Sequence, residues 1–197
     1  MSAAPRPRPA HADDLGEALA EAFRLLARGV ADRRSPFHTP ALATIGADGA
    51  PEARTLVLRG FDPATRTVRL HTDVRAPKWA QLAADPRCAL HLYDPGAQVQ
   101  IRLRCVATRH DADAVAEAAW TASRSFSRLC YAVEPGPATP VPAPAAAPRE
   151  EANGRAHFGA LVLRFDALEW LWLAHGGHRR ARFAWGADGL EATWLVP

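Results

Sequence analysis

The chain lacks the features that mark membrane-spanning and exported proteins. Its 197 residues contain no run approaching the roughly 18 uninterrupted apolar residues of a membrane helix. The opening segment, Met-Ser-Ala-Ala-Pro-Arg, has no apolar centre of the kind found in signal peptides. These absences predict a protein that does not cross a membrane and that resides in the cytoplasm.

Cysteine is scarce, and the few cysteines form no recognisable metal or redox motif. Cys88, Cys105 and Cys130 lie far apart without a C-x-x-C pair, so we expect three buried thiols. The segment 175–178, His-Gly-Gly-His, offers two histidines without a neighbouring carboxylate or cysteine. The sequence therefore predicts no metal site.

Charge is also unremarkable in amount. The formal net charge is +3, and the basic residues are spread along the chain instead of forming a run. A single-strand nucleic-acid binder would alternate exposed aromatics with lysine or arginine, whereas the aromatics here cluster late in the sequence. We expect no nucleic-acid partner. The hydrophobic content of 48% is enough for one compact domain.

Hydrophobic periodicity predicts a mainly β fold with flanking helices. Apolar residues at helical spacing follow Asp13 and Asp14, and Asp48-Gly49 is a strong hairpin signal. A tail over 1–12 and a single domain over 13–197 are expected. Helices are predicted over 13–32, 77–84 and 111–123, and strands over 41–45, 52–58, 66–73, 88–93, 99–106, 158–165, 170–174, 181–185 and 190–195.

A proline- and alanine-rich segment interrupts this domain at 135–150. Its part over 135–148 contains too many prolines for a helix or a sheet and too few large apolar groups to pack. Strands are predicted on both sides of it. We therefore interpret the segment as a loop and not as a domain boundary.

The most informative residues are two basic segments around a predicted hairpin. The first is Arg54-Thr-Leu-Val-Leu-Arg59, in which strand alternation would place the two arginines on opposite faces. The second is His71-Thr-Asp-Val-Arg-Ala-Pro-Lys78, which ends at a predicted helix start. Guanidinium groups bind phosphate bidentately, lysine adds a point charge, and helix-start amides donate further hydrogen bonds. A phosphate site is therefore predicted.

These segments resemble the flavin-binding core of the pyridoxamine 5′-phosphate oxidase-like split β-barrel family. That family has an R-x-(apolar)3-[KR] strand before a [YFH]-T-[DN]-x-x-(small)-x-K segment, and the resemblance extends over most of 35–197. Gln98-Val-Gln100 stands where the family has a flavin-contacting glutamine, and Trp172 precedes Arg182 by ten residues, as in the family. Core packing could explain Trp170 or Trp172, and the ten-residue spacing favours Trp172.

The resemblance implies FMN as the cofactor, with F420 and haem as alternatives bound by some relatives. FMN is favoured because its phosphate matches the arginine, threonine and lysine set. Arg75 is included because Pro77 occupies a position nearer the lysine where some relatives have a phosphate-binding arginine. The residues assigned to FMN are Arg54, Thr55, Leu56, Val57, Arg59, His71, Thr72, Arg75, Lys78, Gln98, Trp172 and Arg182.

The substrate residues of the family are only partly matched. True pyridoxamine 5′-phosphate oxidases carry an R-x-H pair before the late flavin arginine, and His178 and Arg180 occupy those positions in inverted order. A family pattern Y-x3-R-x3-S on the preceding helix is matched here by Trp120, Arg124 and Arg128. Arg124, His178 and Arg180 are therefore candidates for binding a small substrate, and their charge fits an anionic one.

The resemblance implies an FMN-dependent oxidoreductase with an unassigned substrate. It also implies a homodimer with the flavin between the two barrels. Two alternatives stay open: an authentic pyridoxamine 5′-phosphate oxidase of vitamin B6 metabolism, and a flavin-binding protein without catalysis.

Overall fold

A computed structural model describes residues 9–148 and 154–197, which form one antiparallel sheet with helices packed around it. The helices are α1 (Leu15–Ala31), α2 (Pro77–Ala84), α3 (Ala114–Thr121), α4 (Ser125–Arg128) and α5 (Gly154–His157). The strands are β1 (Ala41–Ile45), β2 (Pro51–Thr55), β3 (Leu58–Asp62), β4 (Thr67–Asp73), β5 (Arg87–Asp94), β6 (Val99–His110), β7 (Phe158–Trp172), β8 (Arg179–Gly186) and β9 (Gly189–Leu195).

Strand β7 is the branch point of the sheet. The strands follow the order β2-β1-β5-β6-β7-β4-β3, while β8 and β9 extend from β7 on a separate branch. The first half of β7 pairs with β4 and its second half pairs with β8. The sheet therefore splits along β7, which agrees with the predicted split barrel.

Side-chain alternation along β5 and β6 separates the core from an outer face. Leu90 and Leu103 are paired in register and both are 1% exposed. Between such residues, His91 and Arg102 form an adjacent register pair and point outward. Because side chains of register partners share a face, these pairs define the inner and outer surfaces of the barrel wall.

Several predicted boundaries are confirmed and others are wrong. Helix α1 begins after Asp14, whose Oδ1 accepts a hydrogen bond from the Glu17 amide at 2.9 Å. Within the predicted tail, Ala10–Ala12 form a short 3-10 helix, and residues 1–8 lie outside the described residues. Helix α3 begins after Asp113 and not at 111 as predicted, because the Asp113 side chain accepts a hydrogen bond from the Ala116 amide and so caps the helix.

The strand predicted over 52–58 is two strands. Strand β2 pairs with β1, whereas β3 pairs with β4, so the chain must change neighbours between them. At the junction the Leu56 amide donates to the Pro40 carbonyl at 3.0 Å. Conversely, the strands predicted over 158–165 and 170–174 are the single strand β7.

Two of the three cysteines are buried as expected, and one is not. Cys88 and Cys105 face each other in the core, but Cys130 is exposed, and its thiol donates to the Ser127 carbonyl at 3.0 Å. The part of the predicted loop over 135–148 contains neither helix nor strand, and 149–150 lie outside the described residues. Among the described residues, no helix is long and apolar enough to span a membrane, and no group of metal-binding side chains is found.

Candidate functional site

Lys78 and Thr72 form a compact polar pair at the end of β4. Thr72 is 3% exposed, and its hydroxyl accepts a hydrogen bond from Lys78 Nζ at 3.1 Å. Lys78 stands in the first turn of α2, directly after Pro77. Burial lowers the pKa of Lys78, the positive charge of Arg54 lowers it further, and Asp73 opposes the shift. The ammonium group is thus partly desolvated beside a second cation.

Arg54 reaches this position from the end of β2. Its Nη1 donates to the Thr44 hydroxyl and, at 3.5 Å, to the Leu42 carbonyl. Its Nη2 contacts Glu52 Oε2 at 2.7 Å and Gln81 Oε1 at 3.2 Å. Gln81 belongs to α2, so these contacts hold the guanidinium against the helix that carries Lys78.

These three side chains fit a phosphate group. Burial is the main cause of the lowered pKa of Lys78 and the charge of Arg54 is the second, so a bound dianion would stabilise the ammonium group against both. Thr72 adds a hydroxyl, and the first turn of α2 adds the backbone amide of Lys78. These residues belong to the FMN phosphate site predicted from the sequence, and their contact with FMN stays a prediction.

Arg75 is differently engaged. It forms ion pairs at 2.7 Å with Asp73 and with Glu134, and it donates to the carbonyls of Tyr131 and Val133 at 3.4 and 3.0 Å. The guanidinium therefore fastens the segment after α4 to the end of β4. In this structure its hydrogen bonds go to the protein, and its predicted contact with FMN stays a prediction.

A second polar cluster lies on the outer face of the barrel wall. His91, Arg102, Glu169 and Arg182 form one register row across β5, β6, β7 and β8, and they line a cavity of about 300 Å³. Glu169 Oε2 accepts from Arg102 at 2.9 Å and from Arg180 at 2.6 Å. Burial would raise the pKa of Glu169, but the hydrogen bonds and charges of these two arginines lower it overall.

Arg182 is the arginine of this row without a carboxylate partner. Among residues 9–148 and 154–197, it takes part in no recorded ion pair. Arg180, a predicted substrate residue, is instead held by Glu169. His178 is exposed in the connection between β7 and β8 and borders a separate cavity beside Trp194.

The predicted glutamine lies in a turn, and a neighbouring glutamine lies on the wall. Gln98 has a φ of 56° in the β5–β6 turn, its carbonyl accepts from the Leu173 amide at 2.8 Å, and the residue is exposed. Gln100 lies on β6 and shares the outer face with Arg102, and its Oε1 is 3.0 Å from His91 Nε2. Gln100 was not predicted as a site residue, although the two-residue period of a strand could have placed it on the outer face.

Trp172 and Arg182 lie on opposite faces of the β7–β8 pair. Trp172 pairs with the buried Val99 and follows the alternation of Trp170, so its indole faces the core side. There it meets the ring of His11, with 6.3 Å between centroids. Arg182, placed between buried neighbours, points outward. The contacts in one chain do not bring these two predicted FMN residues together.

The two predicted halves of the FMN site also lie far apart along the sheet. Thr72 pairs with Gly159 near the start of β7, whereas Trp172 is the last residue of that strand. Trp172 is thirteen residues further along β7 than Gly159, which corresponds to roughly 40 Å of strand. Within one chain, Thr72 and Lys78 therefore lie far from Trp172 along the sheet.

A third cluster surrounds a cationic pocket between β3, β4 and the helical segment α3–α4. Arg59, Arg69, His71 and Arg124 line this cavity of about 240 Å³. Burial, then the charges of Arg69 and Arg59, lower the pKa of His71 to about 3, so its imidazole is neutral at physiological pH. Its Nε2 is buried without a hydrogen-bond partner among the described residues, while the ring stands edge-on to Phe158.

The remaining predicted cofactor residues lie in the connection between β2 and β3. Thr55 is exposed at the end of β2, and Leu56 and Val57 are half-buried beyond it. Arg69 was not predicted as a site residue. Since residues two apart in a strand share a face, its spacing from His71 on β4 could have identified it.

Sequence comparison relates the chain to flavin-binding proteins. Residues 20–111 match the family model described as pyridoxamine 5′-phosphate oxidase, FMN-binding domain. A pyridoxine/pyridoxamine 5′-phosphate oxidase of Roseobacter denitrificans is 28% identical over 165 residues, covering 79% of this chain and 80% of the relative. Its Arabidopsis thaliana counterpart, oxidase 2, is 34% identical over 106 residues, covering 50% and 53%. For the Pseudomonas paraeruginosa enzyme, the match spans 28% of the relative.

Solved structures share the fold. A pyridoxamine 5′-phosphate oxidase-related, FMN-binding protein from Nostoc punctiforme superposes with a TM-score of 0.74 at 23% identity, covering 90% of this chain and 96% of that one. PhzG from Burkholderia lata, in complex with tetrahydrophenazine-1-carboxylic acid, gives 0.75 at 21% identity, covering 96% and 97%. At these identities the similarity establishes the architecture.

Proposed function

We propose that the chain is an FMN-dependent oxidoreductase of the pyridoxamine 5′-phosphate oxidase-like family, whose FMN-binding domain model it matches over residues 20–111, and that it acts on a small anionic substrate. The observation that carries this proposal is the cluster of Lys78, Thr72 and Arg54 at the start of α2. Bound FMN would accept a hydride from the substrate. The chain would hold the phosphate and orient the ring and the substrate.

The separation of the two predicted halves of the site supports a homodimer. One chain places Thr72 near the start of β7 and Trp172 at its end, and a site shared between two subunits would bring such residues to one flavin. A second copy could bring its Arg182 end to the phosphate cluster of the first. In this arrangement Gln100, on the outer face with Arg102, is a further candidate for contacting the flavin.

An anionic substrate is supported by the cationic pocket at Arg59 and Arg124. The described residues provide no carboxylate partner for either guanidinium. A carboxylated ligand is present in PhzG, which has the same fold. Authentic pyridoxamine 5′-phosphate oxidase activity is a second candidate, because Arg124 is retained from the family pattern, but the inverted His178 and Arg180 pair argues against it.

The direct test is to purify the protein and record its absorbance spectrum. We expect the bands of oxidised flavin, and FMN on release and mass analysis. A colourless protein that also ignores added FMN would overturn the proposal. Turnover of pyridoxamine 5′-phosphate would favour the second candidate, and bound FMN without turnover of any amine, alcohol or reduced nicotinamide would favour a flavin carrier.

Subunit mixing tests the shared site. We expect Lys78→Met and Arg182→Gln each to lose FMN as homodimers, because each lesion damages both sites. Co-refolded mixtures of the two variants should regain binding. In a heterodimer, one of the two sites contains both substitutions, and the other site contains neither. Titration of FMN fluorescence would measure the regained fraction, with Arg87→Met, an exposed substitution, as the control. No recovery in verified heterodimers would contradict a site shared between subunits.

A further inference from the structure

The cationic pocket contains an arginine that the proposed function does not use. Register in the β3–β4 ladder shifts between Leu58 and Gly60, so that Leu58 opposes Leu70 and Gly60 opposes Arg69. Arg59 is therefore the extra residue of a β-bulge. A bulge turns a side chain away from the regular alternation, and Arg59 accordingly lines the same pocket as Arg69.

Gly60 lies directly beside the Arg69 side chain. A Cβ built on Gly60 would stand 3.3 Å from Arg69 Cβ and 3.5 Å from Arg69 Nε. The guanidinium thus crosses the bulge, and its Nη2 approaches the Arg59 carbonyl at 3.4 Å. Among the residues that the structure describes, its Nε is buried without a hydrogen-bond partner. A buried donor without a partner costs free energy, so a shift of the side chain that brings Nε to a ligand acceptor would be favoured.

The pocket has a surplus of positive charge. Arg59, Arg69 and Arg124 all line it, and none has an ion-pair partner among the residues that the structure describes. The other polar groups on its walls are the neutral His71 imidazole and the hydroxyls of Ser123 and Ser127, from the segment α3–α4. The positive charge of three guanidinium groups without a carboxylate partner is larger than the negative charge of a monoanionic ligand.

We propose that Arg69 is a specificity-determining residue that makes this pocket select dianionic ligands over monoanionic ones. The inference rests on the proposed function in that the ligand would be the substrate of the flavin. Arg59 and Arg124 would bind one anionic group, and Arg69 would add the donors that a second negative charge requires. Two kinds of ligand carry two negative charges in this way: a phosphate monoester has both on one group, and a dicarboxylate has them on two separate groups.

The test compares three probes on the full-length, FMN-treated protein by calorimetric titration at neutral pH: methyl phosphate, malonate and methanesulfonate. Methyl phosphate and malonate are predominantly dianionic there, while methanesulfonate carries one charge. We expect the better dianion to bind about tenfold or more tightly than methanesulfonate, as one additional charged hydrogen bond would allow. Which dianion binds more tightly distinguishes the two ligand types.

Two variants isolate the role of Arg69. Arg69→Gln removes its charge but keeps hydrogen-bond donors, and Arg69→Met removes both the charge and the donors. Both should reduce the preference for the dianion about tenfold while leaving methanesulfonate binding nearly unchanged. Arg164→Gln, on an exposed part of β7, is the control with the same loss of charge. The ratio of affinities is the readout, because a purely structural defect would weaken both kinds of probe.

The outcomes separate this inference from the proposed function. Equal affinity for dianions and the monoanion, or an unchanged preference in both folded variants, would overturn the role of Arg69 even if FMN binds. A protein that takes up no FMN would overturn the proposed function, while the anion titrations, which need no flavin, would still decide the role of Arg69.

Discussion

Removing the positive charge at Lys78 should nearly abolish FMN retention. Lys78 Nζ contacts the buried Thr72 hydroxyl and stands near Arg54, so its loss removes a desolvated cation from the proposed phosphate site. We expect Lys78→Met to weaken FMN binding by roughly ten- to a hundredfold, and Arg54→Ala with Lys78→Ala to weaken it beyond detection. Quenching of FMN fluorescence on titration with protein measures both.

The single variant is the cleaner of the two. Arg54 also binds Glu52 and Gln81, so its removal disturbs the packing of α2 as well as the phosphate site. Lys78 has no such role in the described contacts beyond its bond to Thr72. Arg87→Met is a matched control, because that side chain is 80% exposed. Unchanged FMN affinity in a folded double variant would refute this location of the phosphate.

The dependence on pH gives a second signature of Lys78. Its pKa is lowered by burial and by Arg54, so the free protein loses this proton at a lower pH than an ordinary lysine would. Phosphate binding favours the protonated form. FMN affinity should therefore fall as the pH rises into the alkaline range, and Lys78→Arg should remove this fall, because arginine keeps its charge there.

Local signals predicted the regular elements well. The hairpin at Asp48-Gly49 forms, with Gly49 at a φ of 82°, and the alternation along β5 and β6 matches the observed burial. Helix α2 begins at Pro77 as predicted, which places Lys78 in its first turn. These features depend on a few neighbouring residues, and for that reason the sequence alone could place Lys78 close to the end of β4.

The pairing of strands that are distant in the sequence could not be predicted from local patterns. The bulge at Arg59 exists because β3 pairs with β4, and no local pattern in 54–59 announces the shift in register. Simple alternation predicted that Arg54 and Arg59 leave opposite faces of one strand, whereas they belong to different strands with different partners. The cationic pocket and Arg69 emerge only when β3, β4 and the helical segment are assembled.

Trp170 and Trp172 differ in burial. Trp170 is fully buried between the register partners Ile101 and Ala181, whereas Trp172, at the end of β7, is only partly buried. Trp170→Ala should therefore lower the free energy of unfolding by about 3–5 kcal/mol. We expect a clearly smaller loss for Trp172→Ala. Urea denaturation followed by circular dichroism would measure both.

Trp170→Phe separates packing from hydrogen bonding in this prediction. The indole Nε1 of Trp170 is buried without a partner in the described residues, so removing it gives up no hydrogen bond. Phenylalanine should cost less than about 2 kcal/mol, because most of the ring is retained and an unpaired donor is lost. If Trp170→Ala proved as mild as Trp172→Ala, the core position of Trp170 would be wrong. If Trp172→Ala preserved stability but lost FMN, the family resemblance would have identified the flavin-binding indole correctly. The Trp172 side chain, which faces the core side in one chain, would then have to become accessible at the dimer interface.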